Sequence, residues 1–108
     1  MKPVIVLTTV GERDDAGGLA SQLVERRLAA CVNVLGPMRS IYRWKGRVTD
    51  DQELILLIKT LDERIDSVRS FFVENHPYEV PEFIVLDIGG ISDDYRDWLI
   101  ESSRPPNG

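Results

Sequence analysis

Residues 31–61 read CVNVLGPMRSIYRWKGRVTDDQELILLIKTL, and this stretch decides the fold. Lys45-Gly46 is a two-residue turn signal, and the residues on either side read as two antiparallel strands, 31–44 and 47–61. Gly36-Pro37 interrupts the first arm, where a bulge or bend is expected because Pro37 has no N–H to give to a ladder. Arms of about 14 residues reach roughly 45 Å, well beyond the ~5–6 residues of an ordinary strand. Any shorter strands beside this hairpin leave part of it overhanging.

Residues 3–10 are β-branched and apolar and read as a first strand. From Glu12 to Leu28 the residues Ala16, Leu19, Ala20, Leu23, Val24 and Leu28 recur at helical spacing, with Asp14 and Asp15 in the first turn and Arg26 and Arg27 in the last, which predicts an amphipathic helix. Beyond the hairpin, Asp62 is the expected N-cap of a second helix with Leu61, Ile65, Val68 and Phe72 as its apolar stripe, stopped by Pro77. Residues 82–88 read as a fourth strand broken by Gly89-Gly90. Ser92 then caps a short third helix carrying Tyr95, Trp98 and Leu99. Residues 103–108 are expected to fray.

The order β-α-β-β-α-β predicts a single α+β domain of 108 residues, the ferredoxin-like sandwich with two helices on one face of an antiparallel sheet. Such a sheet usually leaves its second face to water. Here Leu54 to Ile58, Val4 to Leu7 and Phe83 to Leu86 are apolar at both parities, so both faces call for burial. A closed homo-oligomer answers this, sharing the second face and the overhanging arm, with Ile41, Tyr42 and Trp44 near the tip as interface residues. The alternative is a hairpin that bends over its own sheet.

With 18 acidic against 13 basic residues, the latter scattered, the chain lacks the clustered charge that a nucleic-acid backbone selects. The expected third strand also lacks the stacking aromatics of an RNA-recognition domain. One cysteine makes no intramolecular disulfide, the N-terminus has no signal-peptide pattern, and no apolar run spans a membrane, so a soluble cytoplasmic protein is expected. The only histidine has no local nucleophile and there is no Gly-rich phosphate loop, so no enzymatic activity is expected. A CxxC metallochaperone is excluded because Val10-Gly11-Glu12-Arg13 carries no cysteine.

Two junction segments remain, Arg27-Leu28-Ala29-Ala30-Cys31-Val32-Asn33 and His76-Pro77-Tyr78-Glu79-Val80-Pro81-Glu82. Cys31, His76, Glu79 and Glu82 form a mixed S/N/O set that suits copper or zinc where such groups converge. Each also has a structural reading: packing for Cys31, a helix-end cap for His76, solvent exposure or pairing with Arg for the glutamates. Lys59 ends an apolar strand and needs to snorkel or find a carboxylate, with Glu53 and Glu82 as candidates. Trp44 and Trp98 read as interface and core anchors.

Thr8-Thr9, Leu28 to Asn33, Ser40 to Gly46, Glu53 with Ile58-Lys59-Thr60, His76-Pro77-Tyr78-Glu79 with Pro81-Glu82, and Tyr95 with Trp98, in this order and spacing, resemble the CutA divalent-cation tolerance family over residues 4 to about 102. The resemblance implies a homotrimer related in architecture to the PII signalling proteins, a role in the response to metal ions, and copper or another divalent cation as the bound ion in some members. Copper-binding members are associated with a cysteine where this chain has Thr8. The resemblance also implies a cleft between subunits lined by Trp44, Lys59, Tyr78, Glu79 and Glu82. Two functions follow: a metal-responsive trimer using Cys31, His76 and Glu82, or a PII-like module holding a small molecule or protein at that cleft.

Overall fold

The computed structural model describes residues 1–105, and its elements follow the expected order. They are β1 (Pro3–Gly11), α1 (Ala16–Glu25), β2 (Cys31–Trp44), β3 (Arg47–Leu61), a 3-10 turn (Asp62–Arg64), α2 (Ile65–Asn75), β4 (Ile84–Asp87) and α3 (Asp93–Ser103). The four strands make one antiparallel sheet in the order β2-β3-β1-β4, the ferredoxin-like arrangement. Val6, Val10, Leu56 and Ile58 send their side chains to one face, where Leu19 and Leu23 of α1 and Val68 and Phe72 of α2 close the core.

The hairpin is as long as its sequence requires. Lys45 and Gly46 both take positive φ, 51° and 79°, the pair of values that lets a two-residue turn follow the twist of its strands. β1 pairs with β3 only between Glu53 and Leu61, so residues 39–44 and 47–52 pair with each other alone. This projecting arm gives the chain a long axis of 45 Å. The bulge stands where Gly36-Pro37 predicts it: Leu35 lies opposite Ile55 and Met38 opposite Glu53, three steps on β2 against two on β3.

Several boundaries differ from expectation for local reasons. The first helix is shorter than Glu12 to Leu28 at both ends. At its start the Asp14 carboxylate accepts from the Gly11 N–H at 2.7 Å, and Asp15 accepts from the Gly18 N–H at 2.8 Å as the true N-cap. At its end Arg27 takes φ 59°, and the Leu28 and Ala29 N–H groups both turn back to the Leu23 carbonyl. Asp62 opens the 3-10 turn, its carboxylate accepting from the Lys2 and Glu63 N–H groups. Leu61 packs with Ala30 and Leu99 instead of joining the α2 stripe.

The fourth strand spans four residues, not seven, paired with Val4 to Leu7 of β1. Ser92 precedes α3, but its side chain makes no cap hydrogen bond. Trp98 is not a core anchor, being 46% exposed with its ring 5.3 Å from that of Tyr95. The expected fraying at 103–108 does not hold at its start. Ser103 is fully buried at the end of α3, and the Arg104 carbonyl accepts from Arg27 Nε at 2.8 Å. Residues 106–108 lie outside the described residues.

Candidate functional site

A chain of side-chain contacts starts on the helix face of the sheet. Thr8 shares its parity with the core residues Val4, Val6 and Val10 and is fully buried, so its hydroxyl needs a partner. That partner is His76, which ends α2 and brings Nε2 within 3.0 Å of Thr8 Oγ1. The other ring nitrogen, Nδ1, accepts from the Tyr78 backbone N–H at 3.1 Å, which leaves the neutral ring's proton on Nε2, donated toward Thr8. Phe72 and Tyr78 pack edgewise on the imidazole, at 5.3 and 5.1 Å between centroids.

Tyr78 carries the chain to the opposite face of the sheet. Its hydroxyl donates to Glu53 Oε2 at 2.6 Å, and Glu53 is only 7% exposed. Burial, then this bond and the carboxylate's charge, push the Tyr78 hydroxyl well above the ordinary tyrosine range, so it remains a donor. Burial also holds the His76 imidazole below its ordinary value, against a backbone hydrogen bond at Thr9 and the charge of Asp14.

Beside Glu53, the projecting hairpin arm and residues 77–84 wall a groove of about 950 Å³. Trp44, Tyr42 and Tyr78 supply its aromatic surface and Asp51, Glu53, Glu79 and Glu82 its carboxylates; among the described residues no Lys, Arg or His lines it. Tyr42 donates its hydroxyl to Asp51, and this bond raises the Tyr42 pKa to about 12. Within the single chain the groove gathers Trp44, Tyr78, Glu79 and Glu82. It adds Tyr42, Asp51 and Glu53, whose signal was their shared parity on the two hairpin arms.

Lys59 does not join them. It stands six residues along β3 from Glu53, roughly 20 Å away, and its ammonium lies 5.9 Å from the Tyr95 ring centroid. Neither Glu53 nor Glu82 pairs with it within the chain, and its stem snorkels over α3 instead.

The expected metal set also separates. Cys31 is half-buried at the start of β2 opposite Lys59, with Asn33 Oδ1 at 4.0 Å from its thiol. It has the parity of the open face, whereas Thr8 and His76 meet on the helix face, and Glu82 lines the groove. Among the described residues no three His, Cys, Asp or Glu side chains converge on one point. Within one chain, Cys31, His76 and Glu82 therefore do not fit a closed copper or zinc centre.

The family model for the CutA1 divalent ion tolerance protein matches residues 4–102. The chain belongs to the CutA1 family. It is 44% identical to the divalent-cation tolerance protein CutA of Thermus thermophilus, over 92% of this chain and 96% of that one. It is 41% identical to the chloroplastic CutA of Arabidopsis thaliana over 94% of its length, which is 56% of that longer protein. The crystal structure of the Thermus protein superposes with a TM-score of 0.90 at 43% identity, covering 94% of this chain and 99% of the other. The CutA fold expected from the sequence is therefore the observed one. Among the described residues no helix is long and apolar enough to cross a membrane.

In this CutA chain the Thr8–His76–Tyr78 contacts carry a pH dependence. The folded pKa of His76 lies below its unfolded value, so its stabilising contacts are fully present above the unfolded pKa. They weaken as pH falls from about 6.5 through the folded value, because protonated Nδ1 cannot accept from the Tyr78 N–H. Urea midpoints measured between pH 8 and pH 5 are expected to fall, and His76→Gln to flatten the decline. An equal decline in the variant would assign the effect to carboxylates instead.

Proposed function

We propose that the protein acts as a homotrimer in divalent-cation tolerance, contacting copper or another divalent cation weakly instead of holding it in a closed centre. The observation that carries this reading is the separation of Cys31, His76 and Glu82 onto different faces and ends of the sheet. A tight structural site takes about four converging ligands, so contact through one or two carboxylates is weak unless a second chain completes it. In this reading the protein works by binding, without catalysis, in the cytoplasm.

Assembly is supported by what the lone chain leaves uncovered. Its accessible surface is 6709 Å², against roughly 6,100 Å² expected for a folded monomer of 12.2 kDa. Apolar side chains are exposed on the projecting arm and the open sheet face, Ile41, Trp44, Ile84 and Leu86 among them. A PII-like module with a ligand at the cleft is the second reading, favoured by the aromatic groove beside Trp44 and Tyr78.

Calorimetric titration of the tag-free protein with copper and with zinc tests the proposal. Weak heats are expected, unchanged in His76→Ala and Cys31→Ser. Binding at a fixed ratio per chain that either variant abolishes would overturn it and make direct metal binding the function.

A further inference from the structure

Glu53 and Lys59 are two charges that the single chain leaves unmatched on one face of one strand. Glu53 is only 7% exposed, yet its one side-chain partner among the described residues is the neutral Tyr78 hydroxyl, on Oε2, and Oε1 has none. Lys59 is half-buried, and among the described residues its ammonium makes no ion pair and reaches only the Tyr95 ring. A buried charge ordinarily meets one of opposite sign, because its desolvation is otherwise uncompensated.

The two do not meet within the chain, being six residues apart on β3, roughly 20 Å along a strand. Both share the parity of Leu57, so both stand on the sheet face opposite α1 and α2, the face whose apolar residues Ile5, Leu7, Ile55 and Leu57 call for cover. Sharing that face with another copy takes the remaining water from Oε1 and from the Lys59 ammonium alike. An interface that leaves either ion alone is destabilised, whereas one that joins them satisfies both. Other cations do not answer the need. Arg39 is held by Asp50, Lys2 by Asp87 and Arg27 by carbonyls of α3, while Lys45 and Arg47 reach water at the hairpin tip.

The arm supplies the reach. Residues 39–44 and 47–52 project past the end of β1 by six residues, again roughly 20 Å, so the Glu53 end of each sheet extends toward a neighbouring copy by about the distance that separates Glu53 from Lys59. In a ring of three the contact is head to tail, one end of each sheet meeting the opposite end of the next. We infer that Glu53 Oε1 of each copy pairs with the Lys59 ammonium of its neighbour, one such ion pair closing every interface of the ring. This rests on the homotrimer reading above and adds which ends of the chain meet.

Sedimentation equilibrium of the full chain tests the pair through Glu53→Gln, Lys59→Met and the two together. Gln keeps an acceptor for the Tyr78 hydroxyl, and Met keeps most of the apolar stem. Each single substitution strands one charge in the interface and is expected to raise the trimer's dissociation constant roughly a hundredfold or more. The double substitution strands none and is expected to be no worse than either single one. Effects that multiply in the double variant would overturn the proposal, as would a Lys59→Met trimer as tight as the parent. Where Glu53→Gln does not fold, the parent itself gives the second readout. A zero-length carbodiimide joins an amine only to a carboxylate in contact with it, and mass analysis of the cross-linked trimer is expected to find Lys59 joined to Glu53, with the product lost in Lys59→Arg. Lys59 joined to another carboxylate, or to none, would overturn the pair and leave the trimer standing. A parent that sediments as a monomer would instead overturn the trimer reading.

Discussion

Gly36→Val is expected to destabilise the protein by about 3 kcal/mol, measured as the fall in unfolding free energy in urea. Gly36 has φ 127°, and a Cβ there would stand 3.0 Å from the Glu53 carbonyl oxygen, 3.0 Å from Leu54 Cδ2 and 3.1 Å from the Met38 nitrogen. Two of the three are backbone atoms, which cannot swing away. Gly46→Ala is the comparison: φ is 79°, but nothing lies within 4 Å of the added carbon, so only the conformational cost of about 1 kcal/mol applies. Equal losses would show that close approach at the bulge is not what excludes a side chain.

The bulge also explains why the groove exists. Because the strand period is two, one extra residue on β2 exchanges the faces of everything beyond it. Before the bulge Cys31, Asn33 and Leu35 share the open face; after it the even residues Met38, Ser40, Tyr42 and Trp44 do, matched to Glu53 and Asp51 on β3. Without the extra residue Tyr42 and Trp44 would point away from Glu53.

The fold was legible because periodicity and turn chemistry agree along the chain: a two-residue turn at Lys45-Gly46, a breaker at Gly36-Pro37, and helical spacing in Leu19, Leu23, Val68 and Phe72. Helix limits were less legible, since Asp14, Asp15 and Arg27 set them through side-chain and backbone bonds that charge placement does not specify. The candidate site divided along the same line. Trp44, Tyr78, Glu79 and Glu82 come together because the hairpin and the 77–84 segment run side by side. Lys59 and Cys31 do not, because both sit at the far end of the long sheet, a separation set by register. Glu53 was visible only as a candidate partner for Lys59, but its partner is a tyrosine hydroxyl 25 positions away, found only once the loop after α2 is folded back.

Leu57→Asp carries the other large effect, on assembly. Leu57 lies between Leu7 and Asn33 on the sheet face opposite α1 and α2, and is half-buried in the single chain. If copies of the chain share that face, a carboxylate there is desolvated in every copy and meets its equivalents, a cost of several kcal/mol per chain that no partner offsets. In the monomer the same side chain reaches water. Sedimentation velocity of the variant is expected to give a folded monomer where the parent gives a trimer. Val73→Asp, at an 83% exposed position on α2, adds the same charge outside that face and is expected to leave assembly unchanged. A Leu57→Asp protein that stays trimeric would mean that the open face is not the shared one. The apolar residues Ile5, Leu7 and Ile55 beside it would then need another cover.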